Sequence, residues 1–289
     1  MTRRMPRHGF TLVELLVVVA IMVLLYGLLL ARMAPSKGGQ CRDAANMLAG
    51  AITEAWSRGL GNPAGSALVI ESNGSMAVSL AAATVPPPIE GRVAGPVGTT
   101  VSVTGASDSA ALADGYQIQF FRTGSGAVPP SPWFGYANGS VSLRGGAGQT
   151  ADNTILPVGN DLQCRVLCRP TKAERVVTFP KMAAIDLRWS GVEGGGSLAN
   201  GGDITLLFDA FGRAAGVLAG TSEFASSTVV YFLVAAQSDI ESNTSLASPQ
   251  SRWVVVSPQT GRVTVAANNP ASDVATARRF ARPGASICR

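Results

Sequence analysis

The sequence predicts an α+β fold. A long N-terminal helix, with a membrane-spanning first half, packs on a C-terminal antiparallel β-sheet domain that carries a long Gly/Pro-rich insertion. The helix is predicted from an apolar run at residues 15–31. The sheet is predicted from β-branched runs separated by short turns after residue 183. A content of 33 Gly and 17 Pro with only 14% charged residues favours short strands and many turns over a helical bundle.

These patterns divide the 289 residues into successive segments. About 250 residues follow the apolar run, enough for a sizeable core. We expect a leader at 1–9, the transmembrane half of the helix at 10–34, a periplasmic helix at 35–61, and a β-rich domain at 62–289 whose residues 82–182 form the insertion.

The apolar run carries one acid near its start. A helix from Phe10 to Ala31 would be about 33 Å long, enough to cross the hydrocarbon core of a bilayer. Glu14 lies four residues after Phe10, so both fall on one helix face. An ionised carboxylate in hydrocarbon costs several kcal/mol unless it is paired. Cleavage between Gly9 and Phe10 would create an α-ammonium that could neutralise Glu14 in the same or a neighbouring chain.

The segment GFTLVE followed by a long apolar run resembles the class III leader of type IV pilins and type II secretion pseudopilins. The resemblance implies that a prepilin peptidase cuts after Gly9 and that Phe10 becomes the N-methylated terminus. It also implies that Glu14 is the carboxylate that pairs during assembly. The implied partners are the prepilin peptidase, other pilins or pseudopilins in a filament, and inner-membrane lipid.

Two simpler interpretations compete with this one. A secretory signal has a basic start, a short apolar core and a small-residue cleavage site, but here Glu14 interrupts the start and LLARMAPS has no clean A-x-A. A plain anchor with Glu14 near the positive helix end is the second. In either anchored case the basic leader places the N-terminus in the cytoplasm and the C-terminal domain in the periplasm, as a single-pass protein of the inner membrane.

The residue inventory argues against an enzyme. The one histidine, His8, leaves with the leader, and a chain without histidine has no Ser-His-Asp triad, Cys-His pair or Cys₂His₂ zinc site. No G-x-S-x-G or phosphate-binding loop is present. We therefore expect no catalytic residue, no metal and no cofactor. Leader removal also lowers the formal net charge from +5 to +2, which gives a polyanion partner little support.

Four cysteines allow three pairings. Cys41, Cys164, Cys168 and Cys288 are the candidates for one or two disulfides in an oxidising compartment. A Cys₄ metal site is the alternative, but the C-x-x-x-C spacing is not the usual one.

Local patterns predict the elements that follow the apolar run. Pro35 should break or kink the helix, and a second helical pattern runs over 41–58. Residues 67–71 are predicted as a strand, and Asn73-Gly74 as a hairpin turn into MAVSL.

The predicted insertion is less regular. Residues 101–105 and 116–122 alternate like strands. The sequence PPSPWFGY, within the Gly/Pro-rich stretch 123–154, is either a binding patch or, as we favour, a loop folded on its own aromatic side chains.

Six β-branched runs follow, and their short turns predict an antiparallel meander; the runs are 184–189, 203–209, 214–218, 229–235, 252–257 and 262–266. A strand that ends in FD before a GR turn, with WVVVSPQTGRV later, is similar to minor pseudopilin H and FimT/FimU-type minor pilins. With the leader, this likeness covers roughly half of the chain. It implies a minor pseudopilin-like subunit of a type II secretion pseudopilus, or alternatively a minor type IV pilin for DNA uptake or adhesion.

The C-terminus is basic. Arg278, Arg279 and Arg282 are candidate DNA contacts, although a solvated tail held by Cys288 is favoured over a DNA site.

Overall fold

The structure, a computed structural model, describes residues 12–33, 36–87, 89–97, 100–104, 117–121, 134–137, 140–143, 162–194, 196–199, 202–219, 222–225, 228–271 and 273–282. Within these ranges the chain is α+β, with an N-terminal helical part and a C-terminal antiparallel sheet. The predicted fold class is confirmed at this level.

The described ranges contain four helices and sixteen strands. The helices are α1 (Leu12–Met33), α2 (Lys37–Gly59), α3 (Gln237–Glu241) and α4 (Val274–Ala281). The strands of the main sheet are β1 (Ser66–Asn73), β2 (Met76–Thr84), β9 (Thr171–Thr178), β10 (Ala183–Val192), β11 (Ile204–Phe208), β12 (Ala214–Ala219), β13 (Ser222–Ala225), β14 (Val230–Ala236), β15 (Arg252–Val256) and β16 (Val263–Ala267). The others are β3 (Ile89–Val97), β4 (Thr100–Thr104), β5 (Gln117–Phe121), β6 (Phe134–Ala137), β7 (Ser140–Leu143) and β8 (Leu162–Leu167).

The N-terminal helix is divided where the sequence predicts a break. Helix α1 ends at Met33, and α2 begins at Lys37 behind an N-cap, Ser36, whose side chain accepts a hydrogen bond of 3.1 Å from the backbone N–H of Gly39. The membrane span predicted at 10–34 is not confirmed. Of the helices in the described ranges, none is long and apolar enough to cross a membrane.

The main sheet has the strand order β13-β12-β11-β1-β2-β10-β14-β15-β16, and β9 also pairs with β2. All six predicted C-terminal strands exist, and the Asn73-Gly74 hairpin joins β1 to β2 with Gly74 at φ +66°. The predicted meander is wrong at two points. Strands β12 and β14 do not pair, because β12 lies between β11 and β13 whereas β14 lies between β10 and β15. Strands β10 and β11 follow each other in sequence but lie apart, because the β1–β2 hairpin inserts between them and pairs with both.

Helix α2 covers one face of this sheet, which we call the α2 face. The buried residues of α2 recur at helical spacing, and most of them are small. They are Cys41, Ala44, Ala45, Leu48, Ile52, Ala55 and Gly59. Small side chains let the helix backbone approach the sheet closely. Leu48 and Ile52 are the larger apolar residues that α2 contributes to the core, and the helix contacts strands β1, β10, β14, β15 and β16. This core fixes α2 relative to the sheet.

The insertion contains a second β structure. Strands β3, β4, β7, β6, β5 and β8 form a closed antiparallel barrel between β2 and β9. Alternate residues of β5 and β8 are buried directly opposite each other, with Ile118 facing Val166 and Phe120 facing Cys164. The aromatic segment predicted as a loop is in part strand β6, so that prediction is wrong at residues 134–137. The rest of PPSPWFGY lies outside the described residues.

The opposite face of the sheet, the α4 face, is covered near β14 and β15 by α4. Tyr231, Leu233, Trp253 and Val255 point to this side and form a second apolar cluster with Ala277 of α4. The prediction of a solvated basic tail is therefore wrong for residues 274–281, because their apolar side packs on the sheet.

Candidate functional site

The predicted processing site precedes α1 in the sequence. Gly9 and Phe10 lie outside the described residues, and Glu14 is in the first turn of the helix. A carboxylate at this end of a helix is favourably placed relative to the helix dipole. The structure thus places Glu14, the predicted assembly residue, on a helix; both that role and its pairing with the α-ammonium of Phe10 remain predictions.

Helix α1 exposes its apolar residues on every side. All described side chains from Leu12 to Gly27 are exposed, including thirteen large apolar ones between Leu12 and Tyr26. At ~1.5 kcal/mol for each such side chain, and with about half of each side chain exposed, leaving them in water costs on the order of 10 kcal/mol. A surface of this kind requires a covering partner, either other helices or lipid.

The first turn of α2 is attached to α3. The Lys37 ammonium donates to the Ser238 hydroxyl at 3.0 Å and lies 3.5 Å from the Asp239 carboxylate. Ser36 caps the helix at the same place. These contacts hold the beginning of α2 against the sheet domain, directly after the end of α1.

The last turn of α2 is held by two hairpin turns. The Trp56 indole N–H donates to the carbonyl of Gly212 at 2.8 Å. Gly212 and Gly261 both have positive φ, at +76° and +64°, and both lie against the indole ring. In the hairpin turn that contains Gly212, the Asp209 carboxylate accepts hydrogen bonds from the backbone N–H groups of Phe211 and Arg213. The two predicted turns, which contain Gly212-Arg213 and Gly261-Arg262, therefore form the binding surface for the Trp56 side chain. We call this surface the seat of Trp56.

The predicted disulfides are absent among the described cysteines. Cys41 is buried under the sheet, Cys164 is buried in the barrel, and Cys168 is half-buried directly after β8; all three are free. Burial raises the pKa of the Cys41 and Cys164 thiols to about 11, so at neutral pH neither is a reactive thiolate. The disulfide prediction is wrong for these three because the two buried thiols lie in separate cores. Cys288 lies outside the described residues.

Of the three candidate DNA-contacting arginines, one is buried and two are exposed. Arg278 is only 9% exposed, and its guanidinium donates to the carbonyls of Val192 at 3.0 Å and Trp189 at 2.7 Å. Burial lowers its pKa. Arg278 therefore connects α4 to β10 and is not available to DNA. Arg279 and Arg282 remain exposed.

Arg282 also has a partner within the chain. Its guanidinium pairs with the Glu193 carboxylate and donates to the Tyr231 hydroxyl at 3.1 Å. The Arg278 guanidinium lies 5.5 Å from the centre of the Tyr231 ring. Burial raises the pKa of Tyr231, so its hydroxyl stays protonated at neutral pH.

Two adjoining clefts flank the Glu193–Arg282 pair on the α4 face. The first has a volume of about 410 Å³ and is lined by Tyr231, Arg278 and Arg279. The second, of about 380 Å³, is lined by Val255, Arg262 and Thr264. Glu193 and Arg282 line both clefts. We call the two clefts together the arginine groove.

Sequence reasoning missed the Trp56 seat and the arginine groove. The signal for α4 was present, since Asp273 precedes a helical pattern and its carboxylate accepts the backbone N–H of Thr276 at 2.7 Å as an N-cap. No local signal places Glu193 beside Arg282, because 88 intervening residues separate them.

In the described residues, no group of three or more His, Cys, Asp or Glu side chains is arranged to hold a metal.

An exposed apolar helix has an acid in its first turn, and a second helix packs on an antiparallel sheet. These features define a helix-led α+β protein. Residues 4–30 match the family model described as the prokaryotic N-terminal methylation motif. This motif is typical of type IV pilins and pseudopilins, so the predicted resemblance is confirmed over this segment. The motif supports processing by a prepilin peptidase and assembly with other pilins. No curated protein and no solved structure matches the chain.

Proposed function

We propose that the chain is a minor pseudopilin-like subunit of a type II secretion pseudopilus. After cleavage between Gly9 and Phe10 and N-methylation of Phe10, it enters the filament by packing α1 against the N-terminal helices of its neighbours. The methylation motif at 4–30 carries this proposal, because it ties the exposed apolar helix to a known processing chemistry.

The role of Glu14 in this assembly is electrostatic. Packing between helices removes the first turn of α1 from water, and burying the Glu14 carboxylate there is costly unless a cation compensates its charge. The α-ammonium of a neighbour's Phe10 would compensate the charge and set the helix register. Before assembly, the subunit would be stored in the inner membrane with its sheet domain in the periplasm, where α1 finds the apolar surroundings that its exposed side chains require.

The role proposed for the sheet domain is to present surfaces for recognition, without catalysis and without a cofactor. Lys37 and Trp56 attach the two ends of α2 to this domain, so a force on α1 is transmitted to the sheet through α2.

The alternative is a minor type IV pilin for DNA uptake or adhesion. The exposed guanidinium of Arg279 favours it, whereas the burial of Arg278 removes one of the three candidate contacts. A gel-shift assay with the full chain in detergent separates the two candidates, since DNA binding that weakens steeply with salt supports the pilin alternative.

The experiment that tests assembly compares Glu14→Ala with Glu54→Ala, which removes an exposed acid from α2. Both variants should be cleaved and methylated, as mass spectrometry of the N-terminal peptide measures. Only Glu14→Ala should be lost from the sheared filament fraction. Normal incorporation of Glu14→Ala, or a native chain that still begins with Met1, would contradict the proposal.

A further inference from the structure

The arginine groove carries cationic charge that the described part of the chain does not compensate. Arg282 is paired with Glu193, and Arg278 is occupied by two carbonyls. Arg262 and Arg279 are exposed, line one cleft each, and form no ion pair with a described residue. Each cleft therefore offers one guanidinium with free donors.

Each cleft is lined by a residue with a buried polar atom that has no hydrogen-bond partner in the described residues. These atoms are the Nε of Arg278, which lines the first cleft, and the hydroxyl oxygen of Thr264, which lines the second. An unpaired buried polar group costs about 1–3 kcal/mol, so both residues hold hydrogen-bonding capacity that the described residues do not use.

The walls of the groove distinguish among anions. Val229 and Val255 in the second cleft, and Val274 in the first, provide apolar contact beside the arginines. The Glu193 carboxylate lines both clefts, so the charges of a bound anion would fall on either side of it. Each of the two adjoining clefts has one exposed guanidinium and an apolar wall, so each has room for a carboxylate together with the aliphatic stem and backbone that carry it.

We propose that the arginine groove binds an acidic segment of a partner polypeptide, with one carboxylate on Arg279 and a second on Arg262. The existing Glu193–Arg282 pair shows that a carboxylate is accommodated at this place. The groove lies on the sheet domain, so its binding chemistry is independent of filament entry by α1.

The test uses the full chain in detergent and a short fluorescent peptide in which glutamate alternates with serine. Fluorescence anisotropy should show saturable binding that is lost when glutamine replaces glutamate in the peptide. Arg262→Gln combined with Arg279→Gln should weaken binding at least about tenfold, because two charge-assisted hydrogen-bond sites are lost. Thr264→Val should weaken it less.

The matched control is Arg169→Gln combined with Arg175→Gln. It removes the same charge from exposed positions that line neither cleft, and it should leave the affinity within about twofold. Thermal unfolding of all variants verifies that the sheet domain remains folded.

Four results would overturn the proposal: no binding of the acidic peptide, an equal loss in the control pair, undiminished binding of the glutamine peptide, or tighter binding of single-stranded DNA than of the peptide. A large gain in peptide affinity on truncation after Arg282 would also overturn it, since the C-terminal segment of the chain itself would then be the occupant.

Discussion

The seat of Trp56 allows a backbone cost and a packing cost to be measured separately. Gly261 has φ +64°, and a methyl group added there would lie 2.2 Å from the Cδ1 atom of Trp56 and 2.7 Å from the carbonyl oxygen of Gly212. Gly74 has nearly the same φ, +66°, but a methyl group there would meet nothing within 4 Å. Alanine at Gly74 therefore tests only the backbone.

The expected magnitudes follow from these distances. A left-handed conformation costs a non-glycine residue about 1–2 kcal/mol, and this is the whole expected loss for Gly74→Ala. Gly261→Ala should lose the same roughly 1–2 kcal/mol to the backbone conformation and about 1–3 kcal/mol more to overpacking. The added methyl group would collide with a hydrogen-bonded indole and a backbone carbonyl, and neither can easily move away. We therefore expect a total loss of about 2–5 kcal/mol for Gly261→Ala.

Urea denaturation of the full chain in detergent, monitored by tryptophan fluorescence, measures the loss in the free energy of unfolding for both variants. A double-mutant cycle with Trp56→Ala isolates the packing part, since Gly261→Ala should cost less once the indole is gone. Two results would refute a close contact between Trp56 and the hairpin turns. One is an equal loss of stability in Gly74→Ala and Gly261→Ala, and the other is a double-mutant cycle that shows no coupling energy.

Three further predictions concern other parts of the sheet domain. Arg278→Met should lower the free energy of unfolding by about 1–3 kcal/mol, because two buried carbonyls lose their donor; urea denaturation measures this, and an unchanged midpoint would contradict it. Since burial raises the pKa of Cys41 from 9.0 to about 11, stability should fall as pH rises above 9, where only the unfolded thiol ionises. Cys41→Ala should flatten that slope in urea midpoints measured at alkaline pH. The backbone N–H of Thr276 lowers the pKa of Asp273, so the cap's contribution is present at neutral pH and is lost as pH falls through its folded pKa. Asp273→Asn should remove this acid sensitivity from hydrogen exchange in α4.

Local patterns predicted the elements whose structure depends on neighbours in sequence. The break between α1 and α2 follows from the lost N–H and fixed φ of Pro35, and the β1–β2 hairpin follows from Asn73-Gly74. Helix α2 was predicted because its apolar residues recur every three or four positions. The leader motif at 4–30 was predicted because its residues are contiguous.

The errors share a different cause. The meander prediction failed at β10 and β11 because pairing with β1 and β2 bridges more than a hundred residues. The predicted disulfides failed for the described cysteines because spacing does not show that Cys41 and Cys164 are buried in separate cores. The basic tail was misjudged because only the tertiary structure brings the apolar side of α4 against β14 and β15.

The sequence by itself therefore determined the processing motif, the position of Glu14, the break in the helix and most strands, since each depends on chemistry within a few residues. The tertiary structure decided the strand order, the closure of the barrel, the seat of Trp56 and the arginine groove. These depend on contacts between distant segments, such as Glu193 with Arg282 and Trp56 with Gly212, whose geometry exists only after the sheet has assembled.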